Sequence, residues 1–129
     1  AVTNLELPDY INLADIYVDL SSRNSGFEPS MIEAMAQKKV IVGSELSPIS
    51  TIVEHGKDGY LIRPADINEL AKILLNIFNE NINAAEIGQQ ASQKVNDIFD
   101  TEKMASSTLS AYRSILEFTG LYKTSWNWI

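Results

Sequence analysis

Three short runs of β-forming residues alternate with helical patterns along this chain, and that alternation limits the fold more than any other feature. Ile16-Tyr17-Val18-Asp19-Leu20 is the first run, rich in residues that pack well on a pleated surface. Val40-Ile41-Val42 is apolar throughout and stops at Gly43, the pattern of a buried parallel strand. Tyr60-Leu61-Ile62 is the third run and is stopped by Pro64. Strands that alternate with helices predict an α/β fold: a Rossmann-like parallel sheet of about three strands, flanked by helices. Three strands are few, because parallel strands need neighbours and cover on both faces. The first strand is expected to keep an open edge, and the chain to be half of a doubly wound domain.

The helical segments carry their own punctuation. Leu7 to Ala14 reads as a short helix with Pro8 near its first turn. A helix after Pro29 runs to about Gln37, with Met31, Ile32, Met35 and Ala36 facing inward. Lys38-Lys39 follow at its C-terminus, where positive charge suits the dipole. Ser47-Pro48 opens a short helical turn through Ile52-Val53, and His55-Gly56 and Asp58-Gly59 are turn dipeptides. Asp66 with Glu69 forms an Asp-led capping box, and Leu70, Ile73, Leu74, Ile77 and Phe78 keep helical spacing. Asn83 with Glu86 repeats the signal ahead of Ile87, Ala91 and Val95. Asp100-Thr101 caps the last helix, whose inner face is expected to hold Met104, Thr108, Ala111 or Tyr112, and Ile115. Gly120 ends it, and Trp126 and Trp128 lie in the tail, read as a docking segment.

Composition removes several classes of function. The 129 residues carry 45% hydrophobic and 21% charged side chains, enough for one domain with its own core. A net charge of −7 with ten scattered Lys and Arg argues against nucleic acid, which needs clustered cations. There is no Cys, hence no disulfide, no thiolate metal site and no thiol nucleophile. No run approaches the roughly 20 apolar residues of a membrane span, and the Ala1 start shows no signal-peptide pattern. A cytoplasmic setting is the expectation. The absence of an obvious strand before Leu7 favours a fragment of a longer protein.

The chemistry concentrates in Ser22 to Met35, a strand end, a Gly-containing loop and the opening of a helix. Such a junction presents backbone N–H groups and a helix dipole to an anion. One turn further on, Glu33 is placed to accept hydrogen bonds from a sugar hydroxyl. A phosphate site beside a hydroxyl site is what a nucleotide-sugar needs. Each residue also has a plainer reading. Glu33 is then a solvated helix carboxylate, Gly26-Phe27 a tight loop with Phe27 in the core, and Ser30 an N-cap. Met31 and Met35 read as core packing. Arg23 has two readings, a partner for phosphate or a structural partner of an acid such as Asp19, the second preferred. Asp15 reads as orienting the start of the first strand. His55, in a turn with no Cys partner, reads as structural rather than catalytic.

Taken together, Ala14-Asp15-Ile16-Tyr17-Val18, Gly26-Phe27, Glu33-Ala34-Met35, Lys39 to Ser44, Ile52 to Ile62 and Pro64-Ala65-Asp66 resemble one family in order and spacing. They resemble the C-terminal part of the retaining GT-B glycosyltransferases of the glycosyl transferases group 1 kind. Phe99-Asp100-Thr101-Glu102 resembles the start of that family's terminal helix, so the likeness runs from about Leu7 to Leu116. The resemblance implies that residues 1–100 are the nucleotide-sugar-binding half of a Rossmann-like C-terminal domain, and 101–129 a terminal helix and tail. It implies transfer of a hexose from a UDP-, GDP- or ADP-sugar to an acceptor hydroxyl, with retention, no cofactor and no required metal. It assigns ribose binding to Glu33, diphosphate binding to the amides of Ser30, Met31 and Ile32, and donor-sugar contacts to the loop at Gly26, Phe27 and Glu28. Pro29 has no N–H to offer. The implied partners are the donor and an N-terminal GT-B domain, with peripheral membrane association of the full-length protein.

The departures from the family pattern matter. Ser25 stands eight positions before Glu33, where the family has Glu; Glu28 is the candidate substitute carboxylate. Ser47-Pro48 replaces the family's Gly-Gly, and Thr51 its following Glu. The family's diphosphate-binding Arg and Lys lie upstream of this segment, so these 129 residues are expected not to turn over alone. A catalytically degenerate GT-B-like protein-interaction module is the alternative reading.

Overall fold

The computed structural model describes residues 2–118 apart from Arg23, Asn24, Ser25 and Phe27. The chain forms two compact units, residues 1–96 and 97–129. Along it follow α1 (Leu7–Leu13), β1 (Ile16–Asp19), α2 (Pro29–Ala36), β2 (Val40–Ser44), α3 (Ile49–Ile52), β3 (Tyr60–Ile62), α4 (Ile67–Phe78), α5 (Ala84–Ile98) and α6 (Thr101–Phe118). The three strands make one sheet in the order β1-β2-β3. Both pairings are parallel, with Tyr17 opposite Ile41 and Val42 opposite Tyr60.

The period-2 alternation of side chains sorts the strands onto two faces. Tyr17, Ile41 and Leu61 join Met31, Met35, Ile49, Ile52, Ala91 and Val95 in the larger core, drawn from α2, α3 and α5. Ile16, Val42, Tyr60 and Ile62 pack on the other side with Leu70, Ile73 and Ile77 of α4. Every residue of β2 is buried, which is why its sequence is apolar without alternation. Among the described residues β1 pairs with β2 alone, and its Val18 is 42% exposed, so the expected open edge is present there. An apolar groove of about 750 Å³ runs beside Ile16, between it and Leu74, Leu75 and Phe78 of α4.

The predicted helix starts are made as read. Asp66 accepts the Glu69 N–H at 2.9 Å, and Asn83 accepts the Glu86 N–H at 3.2 Å. Replacing a capping carboxylate by Ala removes the partner of a first-turn amide. Asp66→Ala is therefore expected to cost about 1 kcal/mol in urea unfolding; unchanged stability would show that this cap contributes nothing. The end of α2 is a less legible device. Lys38 takes a left-handed φ of 61°, its N–H donates to Met35 O at 3.0 Å, and the Lys39 N–H donates to Ala34 O at 3.0 Å. That is a Schellman closure built on Lys rather than the usual Gly. It fixes the sharp turn from α2 into β2.

α5 is locked onto that turn. Gly88 approaches the Lys38 carbonyl so closely that a Cβ would lie 2.0 Å from its oxygen. One turn on, the Ser92 hydroxyl donates to Ala36 O at 3.0 Å. Lys94 then reaches Asp58, with Nζ 2.6 Å from Oδ2.

In the second unit, Asp100 accepts the Lys103 N–H at 2.8 Å and so caps α6. The expected inner face of α6 is not buried: Met104, Tyr112 and Ile115 are exposed, and the helix buries none of its residues. It is the one helix wholly inside that unit among the described residues. Gly120, Trp126 and Trp128 lie outside the described residues. Among the described residues no helix is long and apolar enough to cross a membrane.

Candidate functional site

Parallel sheets of this kind place ligands beyond the C-terminal ends of their strands. Here that end carries Asp19 of β1, Ser44 of β2 and Ile62 of β3, and the loops that lead into α2, α3 and α4. α2 points its N-terminus toward this edge. Glu28 occupies the N-cap position in extended conformation, with ψ 134°, and makes no side-chain cap. Pro29 is the first helical residue and Ser30 the second. Ser30 is therefore not the N-cap, contrary to the plainer reading of the sequence.

Its hydroxyl does something else. Ser30 Oγ lies 2.7 Å from Tyr17 Oη, a hydrogen bond that joins α2 to β1. No acceptor among the described residues takes the Ser30 N–H at the helix start. The Met31 N–H is already used, donating to the Glu28 carbonyl at 2.9 Å. The Met31 and Met35 side chains are wholly buried and Ile32 packs beside them, as core residues. Of the three amides assigned to an anion, that of Met31 is committed to the Glu28 carbonyl.

Glu33 stands one turn beyond Ser30 and is exposed. Its charge, with those of Asp19 and Glu28, reaches the Tyr17 phenol. Burial pushes that phenol above the usual tyrosine range. The Ser30 hydrogen bond pulls it back, and the three carboxylates push it up again. The phenol therefore stays neutral near pH 7. Its stabilising contribution is complete below the unfolded tyrosine value and declines only as pH rises past it toward the folded one.

Gly26 has a φ of +108° and open space where a Cβ would stand, so the loop needs glycine for its backbone and not for room. Ser25, Phe27 and Arg23 lie outside the described residues. Asp19, the expected partner of Arg23, accepts the Ser21 N–H at 3.2 Å. His55 braces the turn into β3: its Nδ1 lies 3.1 Å from the Leu61 nitrogen and 2.9 Å from its oxygen. Its ring meets Tyr60 edge-on, with centroids 5.5 Å apart. Ser47 and Pro48 are joined by a cis peptide and lead into α3.

Two residues at this edge had no local signal in the sequence. Tyr17 looks like any strand aromatic until Ser30 is brought opposite it. Arg63, directly after β3, is an exposed cation at the same end of the sheet. A polar cleft of about 380 Å³, between Tyr60, Asn81, Glu86 and Gln90, lies instead by the N-terminal start of β3 and contains none of the predicted site residues. Among the described residues no cluster of His, Asp or Glu is arranged to hold a metal ion.

The chain is an α/β protein whose parallel sheet carries the start of α2 and the exposed Glu33 at the C-terminal ends of its strands. Comparison narrows the class. Residues 1–80 match the family model of glycosyl transferases group 1, and the chain belongs to that family. Over 95 residues it is 33% identical to the poly(ribitol-phosphate) alpha-N-acetylglucosaminyltransferase of Staphylococcus aureus (strain COL), covering 73% of this chain and 19% of that protein. It is 25% identical over 108 residues to the N-acetyl-alpha-D-glucosaminyl L-malate synthase of Bacillus anthracis, covering 84% and 28% respectively. The crystal structure of Anabaena HepE in complex with UDP-glucose superposes with a TM-score of 0.73 at 26% identity, over 82% of this chain and 30% of that one. The parallel sheet and its helices match the Rossmann-like architecture of such GT-B neighbours. The chain spans between about a fifth and a third of the length of these relatives.

Proposed function

We propose that these residues are the donor-binding part of a retaining glycosyltransferase, placed in its C-terminal GT-B domain. The full protein transfers a hexose or N-acetylhexosamine from a nucleotide-sugar to an acceptor hydroxyl. The observation that carries this reading is the arrangement at α2: a Ser30 amide with no acceptor among the described residues at the helix start, with exposed Glu33 one turn along. Family membership supports it. A diphosphate is favoured there because the helix start offers unpaired donors and a positive dipole end. Glu33 accepts hydrogen bonds from the ribose hydroxyls, and the loop at Gly26 and Glu28 faces the donor sugar. The HepE complex with UDP-glucose favours a UDP-linked donor over GDP or ADP.

In this reading the reaction breaks the bond between the anomeric carbon and the diphosphate oxygen and forms one to the acceptor oxygen on the same face, with the acceptor's proton passing to the departing diphosphate. Electrostatic stabilisation of the departing diphosphate is the large catalytic contribution. The α2 start supplies part of it, and cationic groups outside these 129 residues the remainder. The same proposal includes an N-terminal acceptor-binding domain as partner, no cofactor beyond the donor, and a cytoplasmic site of action with the full protein at a membrane surface.

The test is a titration of this chain with UDP, GDP and ADP, followed by amide NMR. UDP is expected to shift residues around Gly26 and Ser30 to Glu33. Glu33→Ala is expected to weaken UDP at least about tenfold, since hydrogen bonds to a charged acceptor are worth about 1.5–3 kcal/mol. A variant that binds as tightly as the parent would remove Glu33 from the site.

A further inference from the structure

We infer that Tyr17 and Ser30 act as one positioning couple, which sets the first turn of α2 against the sheet and thereby the affinity for the diphosphate part of the ligand. The inference rests on the reading of the α2 start as the donor diphosphate site, and goes beyond it by naming what holds that start in place.

Three observations carry it. First, α2 lacks the device that fixes the other long helices: Asp66, Asn83 and Asp100 each cap their helix through a side chain, whereas Glu28 makes no such bond. Second, the Tyr17–Ser30 hydrogen bond, at 2.7 Å, is attached to that turn, on the residue whose N–H has no acceptor among the described residues. Third, Tyr17 is itself held firmly. It lies in register with Ile41 of the fully buried β2, and its ring packs on the larger core. The bond therefore ties the second residue of α2 to a strand packed on the buried centre of the sheet. Fixing a donor before the ligand arrives removes an ordering cost from binding. The phenol has a further property that suits the place: burial and the neighbouring carboxylates keep it uncharged, so it adds no negative charge beneath an anion.

A couple of this kind acts on the phosphates and leaves the nucleoside alone. The experiment compares UDP with uridine on the full chain, for the parent, Tyr17→Phe, Ser30→Ala, the double variant and Ser30→Thr. Each single variant is expected to weaken UDP about three- to fivefold, the loss of one neutral hydrogen bond. The double variant is expected to lose no more than either single one, because both remove the same bond. Uridine affinity is expected to stay constant, and Ser30→Thr, which keeps the hydroxyl, to bind UDP like the parent. Parent-like UDP binding by Ser30→Ala or Tyr17→Phe would overturn the inference. So would equal losses for UDP and uridine, which mark a general structural defect, or losses that multiply in the double variant. Should Tyr17→Phe fail to fold, Ser30→Ala and Ser30→Thr decide the question. A parent chain that does not bind UDP at all would overturn the donor reading, and this inference with it.

Discussion

Gly88→Ala is expected to destabilise the protein by about 4 kcal/mol, although it replaces a poor helix former by the best one. Taken alone, the propensity change would stabilise α5 by roughly 1 kcal/mol. Packing reverses the sign. The added Cβ would lie 2.0 Å from the Lys38 carbonyl oxygen, 2.8 Å from its carbon and 3.3 Å from its Cα. All three are backbone atoms, so no rotamer change relieves the clash. They also belong to the Schellman closure at the end of α2, where Lys38 already holds a left-handed φ of 61°. Relief requires α5 to move out, and that withdraws Ile87, Ala91 and Val95 from their buried positions. Overpacking that shifts backbone costs about 1–3 kcal/mol or more, and the lost burial adds to it. Thermal unfolding followed by circular dichroism measures the effect, with Gln89→Ala on the exposed neighbour as control. A Gly88→Ala midpoint equal to or above the parent's would show that the contact is looser than described.

Asp58→Ala is the second large effect, at about 3 kcal/mol. Asp58 is 2% exposed. Its Oδ1 accepts the Glu54 N–H at 2.7 Å and its Oδ2 accepts from Lys94 Nζ at 2.6 Å. Removing the carboxylate takes the acceptor from the Glu54 amide and leaves Lys94 without its partner. Breaking a buried ion pair from one side costs about 3–5 kcal/mol. The lower end applies here because the Lys94 side chain is 26% exposed and can regain water. Asp58→Asn keeps an acceptor for the Glu54 N–H and is expected to lose about half as much. If alanine and asparagine prove equally damaging, the charge on Asp58 matters more than its hydrogen bond to the turn. By contrast, the Lys57–Glu54 pair is more than half exposed on both sides, and its removal is expected to pass almost unnoticed.

These two sites mark where sequence patterns stop. Asp58-Gly59 was legible as a turn, because that dipeptide tolerates the backbone a turn requires. Its ion pair with Lys94 spans 36 positions and has no local trace. Gly88 reads as a weak point in a helix, yet its lack of a Cβ is what lets α5 lie against the Lys38 carbonyl. The strands, by contrast, were legible to within a residue or two, since period and β-propensity are local properties. So were the caps at Asp66, Asn83 and Asp100, each a side chain that meets an amide three residues on. The inner face assigned to α6 followed from spacing alone. Spacing names an apolar stripe but not what covers it, and Met104 and Tyr112 are exposed.

The site divides along the same line. Order and spacing along the chain by themselves determined the α/β class, the family and the position of Glu33 one turn into α2, because each depends on residues close in sequence. What the Ser30 hydroxyl does at that helix start was decided only by the tertiary structure, which brings Tyr17, thirteen residues earlier, against it. Hydrogen bonds are short and directional, so a group's partner is known only once the fold has set every neighbour's position.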